Sequence, residues 1–133
     1  MASELRVNTL KDASGNNSIA TSFVAGGSAK AWNRFVGANV PTLLDSLNNS
    51  TATDNGAGDY TFAFTNNMSN ANYAPQCGGG RDPEAAGVDG RIQNPDQITT
   101  SNYVFNMFNL DSSAHTLYLD DGIGLSTVHG DLA

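Results

Sequence analysis

The chain has 133 residues, six Lys and Arg against 13 Asp and Glu, and a formal net charge of −7. Charged residues are 14% of it, well below the roughly 25% of an average soluble domain, while 16 Asn, 14 Gly, 12 Ser and 11 Thr supply the polarity. That composition excludes a helical bundle, because these residues favour turns over helices, a sequence-general nucleic-acid binder, which needs a basic face, and membrane insertion by a helix, since no apolar run nears the roughly 18–20 residues of a span.

From the N-terminus, Leu5, Val7 and Thr9 alternate with Arg6, Asn8 and Leu10 as in a short strand. Asp12 to Asn17 is a dense turn signal. Ile19, Thr21 and Phe23 share the parity of a second short strand, and Gly26, Gly27 and Ser28 form a joint. A two-strand ribbon is marginal alone in water, so this arm is expected to pack on another copy or on a larger assembly. Leu5, Val7, Leu10, Ile19 and Phe23 are its candidate assembly residues.

After the joint, Trp32, Phe35 and Val36 break strand parity near Asn33 and Arg34, which predicts a bulge there or a strand covered on both faces. Pro41 to Asn48 fits either a helical turn through Leu43, Leu44 and Leu47 or a strand through Leu43, Asp45 and Leu47; its β-like surroundings favour the strand. Between Ser50 and Thr65, Tyr60, Phe62 and Phe64 alternate with Thr61, Ala63 and Thr65 behind a Gly-rich loop, the pattern of a β-hairpin with one buried aromatic face. A turn at Asn66–Asn70 leads to a short strand over Ala71–Pro75. Cys77 to Asp96 holds three consecutive glycines, two prolines and almost no large apolar residue, and reads as an exposed loop of about 20 residues. Thr99 to Leu110 is apolar on both parities, as in a strand covered on both faces. Turns at Asp111–Ala114 and Asp120–Gly122 flank a strand at Thr116–Leu119, and Gly124–Ala133 reads as a terminal strand. The whole predicts an all-β protein: an antiparallel β-sandwich, jelly-roll-like, with a short extended N-terminal arm.

Four stretches, Glu4–Asn17, Gly27–Phe35, Thr53–Tyr73 and Val128–Ala133, resemble small fibre proteins of tailed phages, marine ones in particular. The resemblance covers most of the chain except Cys77–Asp96. It implies a virion structural protein of the tail-fibre type, with an attachment and trimerisation arm (residues 1–28) and a β-sandwich (residues 29–133), assembled as a homotrimer. Other virion proteins of tail or head are its implied partners, and the virion its location. Capsid decoration, or a head fibre without receptor binding, is the alternative placement.

No catalytic constellation is expected. Ser126 and His129 point to opposite faces of one strand, and Gly78, Gly79 and Gly80 lack the Lys-Ser/Thr of a phosphate loop. No metal or cofactor is expected either. Asp54, Asn55 and Asp59 lack the ligand spacing of a calcium loop and read as a hairpin tip, as do Asp120 and Asp121 as a turn. His115 and His129 lack the His-x-His spacing of a metal on a three-fold axis. Single Cys77 forms no internal disulfide, and the first ten residues have no secretory leader pattern. Tyr60, Phe62, Phe64, Trp32, Tyr73, Tyr103 and Tyr118 are core or a sugar-stacking platform, with core favoured for the alternating three. Arg81, Asp82, Glu84, Asp89 and Arg91 are the candidate contacts to a host-surface glycan or protein; a plain solvent loop and a contact with a neighbouring virion protein are the competing readings of the same stretch.

Overall fold

The computed structural model describes residues 6–37, 40–81, 88–91, 97–109 and 122–133. Among the described residues there are ten strands and one helix. In chain order these are β1 (Thr9–Leu10), β2 (Ile19–Ala20), α1 (Thr21–Gly27), β3 (Ala29–Val36), β4 (Thr42–Leu47), β5 (Asn49–Gly56), β6 (Asp59–Phe64), β7 (Ala74–Arg81), β8 (Val88–Arg91), β9 (Asn102–Asn109) and β10 (Gly122–His129). They form two four-stranded antiparallel sheets, β4-β3-β10-β7 and β5-β6-β9-β8, and a separate β1-β2 ribbon. The two large sheets pack face to face, an all-β sandwich.

The core is aromatic. Phe35 from β3 lies against Tyr60, Phe62 and Phe105 of the opposite sheet, with ring centroids 5.2, 4.7 and 5.1 Å away. Phe64 stacks on Tyr73 and Tyr103 at 5.6 and 5.5 Å. Tilted and edge-on pairs at these distances suit ring quadrupoles. Gly124 of β10 pairs with Phe35, and a Cβ there would stand 2.0 Å from the Phe35 ring.

The β5–β6 hairpin forms as its alternation predicts, with Tyr60, Phe62 and Phe64 buried. They are core, which removes them as a sugar platform; Tyr73 and Tyr103 are buried too, and Tyr118 lies outside the described residues. Ala57 and Gly58 make the turn, with Gly58 at φ 68°. Pro41–Asn48 contains strand β4, and Tyr103 to Asn106 are buried on both parities.

Three expectations change. First, parity in β3 holds through Asn33 and Arg34: Ala31, Asn33 and Phe35 face the core and Trp32 faces outward. The bulge lies one strand over, at Leu44 of β4, where Arg34 pairs Asp45 but Phe35 pairs Leu43. Second, the strand read through Ile19, Thr21 and Phe23 stops at Ala20 and continues as α1. The Thr21 hydroxyl and amide both turn back to the ribbon, with the hydroxyl donating to the Val7 and Asn8 carbonyls at 3.1 and 3.2 Å and the amide to Asn8 O at 3.0 Å. Third, Cys77–Asp96 is not one long loop. β7 runs through all three glycines, and β8 follows. Glycine has the same backbone donor and acceptor as any residue, and the fully formed β10 supplies the ladder from Ala74 to Arg81, so pairing overrides propensity. Pro75 fits because β7 is an edge strand. Cys77 is accordingly mid-strand and packs against the core. The turns expected at 111–114 and 120–121, the strand expected at 116–119, and His115 lie outside the described residues.

Candidate assembly surface

The arm is built on one carboxylate. Asp12 Oδ1 accepts the amides of Ser14 and Asn16 at 3.0 and 2.8 Å, and Oδ2 accepts Asn17 Nδ2 at 2.8 Å. Gly15 and Asn17 take positive φ, 75° and 48°, to close the turn. This aligns Thr9 with Ala20 and Leu10 with Ile19. Local polar bonds hold the ribbon, not burial. Val7, Leu10, Ile19 and Val24 are 40–44% exposed and Phe23 is 71% exposed, while α1 buries no residue. Leu5 lies outside the described residues.

Side-chain hydrogen bonds from β3 and β10 fasten the arm to the sandwich. Lys30 and His129 follow the outward parity of Trp32 and Thr127 on the β4-β3-β10-β7 sheet, at a bulge where His129 pairs with Ala29 and Lys30 is the extra residue. Lys30 Nζ donates to the carbonyls of Ala25 and Ser28 and to Ser28 Oγ. His129 Nδ1 donates to Gly27 O at 3.2 Å. The last carbonyls of a helix lack intrahelical partners and carry partial negative charge, so a cation and an imidazole N–H are apt caps. No spacing rule links Lys30 to His129, 99 positions away; only the β3–β10 pairing joins them.

Register defines the rest of that outer face. Trp32, Arg34 and Val36 of β3 stand beside Leu47, Asp45 and Thr42 of β4 on one side and Thr127, Leu125 and Ile123 of β10 on the other. Leu47 and Leu125 are each about half exposed, at 48% and 49%. Gly78 of β7 lies opposite Leu125 with open space where a side chain would be. A shallow depression of about 260 Å³ results, bordered by Gln76, Gly78, Leu125 and Thr127.

Of the proposed host-contact residues, Arg81 belongs to β7, and Asp89 and Arg91 to β8; Asp82 and Glu84 lie outside the described residues. Arg81, Asp89 and Arg91 are thus strand residues rather than members of one flexible loop. The hairpin tip is closed by its own polar groups: Asp54 Oδ1 accepts the Gly56 amide at 2.9 Å, and Asn55 Nδ2 donates to Asp59 Oδ1 at 3.2 Å. Among the described residues no three His, Cys, Asp or Glu side chains converge as metal ligands.

Between the sheets lies a closed polar ring that sequence reading missed. Tyr103 OH and Ser126 Oγ are 2.5 Å apart, Ser126 donates to Asn33 Oδ1 at 3.0 Å, and Asn33 Nδ2 donates to Tyr103 OH at 2.9 Å. Asn33 also donates to Asn49 Oδ1 at 3.3 Å, and Asn49 Nδ2 donates to the Trp32 and Leu47 carbonyls. Burial pushes the Tyr103 phenol up to about 12, against the Ser126 and Asn33 hydrogen bonds that favour ionisation. Ser126 therefore joins two sheets; its hydroxyl faces the core while His129 faces outward to Gly27, so the two do not form a nucleophile and base. A lone inward Ser at a β10 core position was the available signal.

No family model matches the chain, and no curated protein or solved structure matches it.

Proposed function

We propose that the chain is a non-enzymatic virion structural protein of the tail-fibre type, which assembles as a homotrimer through its N-terminal arm and projects its sandwich toward the host surface. The observation that carries the assembly reading is the arm itself: five large apolar side chains, Val7, Leu10, Ile19, Phe23 and Val24, stand exposed on an arm none of whose described residues is buried. Clustered exposed apolar surface marks an interaction site. The virion setting rests on the resemblance of Glu4–Asn17, Gly27–Phe35, Thr53–Tyr73 and Val128–Ala133 to phage fibre proteins.

Sedimentation equilibrium of the full chain tests it. A trimer at micromolar concentration that dissociates on Phe23→Asp with Ile19→Asp supports the reading; a monomer overturns it. Immunogold labelling of particles with an antibody to the chain separates a tail position from the head.

A further inference from the structure

The arm is one exposed apolar surface, and the outer face of the β4-β3-β10-β7 sheet is another. The arm leaves the sandwich at the Lys30–His129 end of that face and does not fold back over it: Leu47 and Leu125 remain half exposed, and Phe23 more so. We infer that the arm of a second copy covers this face, with Phe23 of that copy seated in the depression between Gly78 and Leu125. This rests on the assembly reading above and names the surface the arm docks on.

Charge decides between the two ways a second copy could cover the face. Residues 29–133 carry four Lys and Arg against eleven Asp and Glu, the whole net charge of −7. Residues 1–28 carry two of each sign. Stacking two sandwiches face to face brings two acidic bodies together, whereas the neutral arm meets no such repulsion. The face itself offers one charge of each sign near its centre, Arg34 and Asp45, amid Trp32, Val36, Leu47, Ile123 and Leu125.

Area requires that each copy both give an arm and receive one. The eight-residue strands β3, β7 and β10 span about 26 Å, β4 is two residues shorter, and four strands span about 19 Å, a footprint of at most roughly 500 Å². That is less than the roughly 800 Å² per partner of a stable interface. Where each copy both gives an arm and receives one, in a reciprocal pair or in a closed ring, the buried area per copy doubles to about 1,000 Å². With three copies, as in the assembly reading above, the head-to-tail contact closes as a three-membered ring. Phe23 is the anchor: it is the most exposed aromatic of the arm, and the depression that Gly78 leaves empty can take an aromatic ring, the pairing of an interface hot spot.

The test uses the full chain in two formats. Sedimentation velocity compares wild type with Leu125→Glu and Gly78→Arg, with circular dichroism confirming the fold. In a Cys77→Ser background, a Phe23→Cys chain is mixed with a Gly78→Cys chain, reassembled and oxidised. At least tenfold weaker association of the face variants, together with a disulfide-linked heterodimer in the mixture, is the expected result. A wild-type oligomer with normal assembly of both variants and no cross-link overturns the arm-on-face contact and leaves arm-driven assembly standing. A monomeric wild type overturns both. If a face variant does not fold, the cross-link alone decides.

Discussion

The hydroxyls of Tyr103 on β9 and Ser126 on β10 meet 2.5 Å apart in the middle of the sandwich, joining two sheets that share no backbone ladder. With Asn33 they form a ring in which each group gives one hydrogen bond and takes one. Among the described residues no buried side-chain polar atom is left unpaired. Removing one member strands the others: Tyr103→Phe leaves an Asn33 N–H and a Ser126 lone pair without partners, at a cost of about 1–3 kcal/mol. Ser126→Ala is expected to cost a similar amount. The double variant should lose less than the two singles together, by about 1 kcal/mol, because the groups act as a unit. Urea denaturation of the four proteins measures this, and strict additivity would refute the ring as a cooperative element.

The same burial makes stability fall in alkali. The Tyr103 phenol is raised from 10.0 to about 12 in the folded chain, first through desolvation. Tyr73 is also raised, by burial and then by its neighbour Tyr103, while its hydroxyl is bonded to the Thr99 and Asn102 carbonyls. Below pH 10 both are protonated whether folded or not, and contribute no slope. Above it the unfolded chain releases protons that the folded chain keeps, so stability declines as pH rises from about 10 to about 12. For Tyr103 the slope is about 1.4 kcal/mol per pH unit within that window. Urea midpoints are expected to be level in this respect from pH 8 to 9.5 and to drop by pH 11, with a shallower drop for Tyr103→Phe. Equal slopes in both proteins would show that Tyr103 ionises as freely folded as unfolded.

Two glycines should respond very differently to the same change. Gly124→Ala places a methyl within the Phe35 ring, 2.0 Å from its nearest atom. Phe35 is held by three other rings and cannot move away. Overpacking of this kind costs about 1–3 kcal/mol, and a contact so short belongs at the upper end. Gly78→Ala meets nothing within 4 Å and should lie within about 0.5 kcal/mol of wild type. Thermal unfolding of the pair checks the assignment of inner and outer faces along β10 and β7.

These glycines show what the sequence makes legible. Period-two alternation at Tyr60, Phe62 and Phe64 names a buried hairpin face directly, because each aromatic reports its own side of the strand. Gly78, Gly79 and Gly80 report nothing, since a residue without a side chain carries no parity, and a strand made by its neighbour's ladder reads as loop. The turn at Asp12 is legible because its bonds are local. The Tyr103–Ser126–Asn33 ring and the Lys30–His129 pair are not, because each is created by strands far apart in the chain. The arm's exposed apolar residues were visible in the sequence, but the surface beside them, from Trp32 to Leu125, emerges only once β4, β3 and β10 are in register.

The Lys30–His129 pair controls how the arm leaves the sandwich. A seven-residue helix that buries nothing is too short to be stable alone. Its C-terminal carbonyls at Ala25 and Gly27 are held by two side chains rooted in β3 and β10. Lys30→Met removes the cation and its donors, and His129→Phe removes the N–H, while neither touches the core. Hydrogen–deuterium exchange of the full chain should then show the amides at the end of α1, including the Ser28 amide bonded to Val24 O, exchanging at least tenfold faster in the double variant. Amides of the β3–β10 ladder should keep their protection, because that ladder lies between β4 and β7. Unchanged exchange at Ser28 would mean that the helix stands without its clamp and that the arm's direction is set elsewhere. A loss of protection throughout β10 would mean that the pair supports the sandwich as well as the arm.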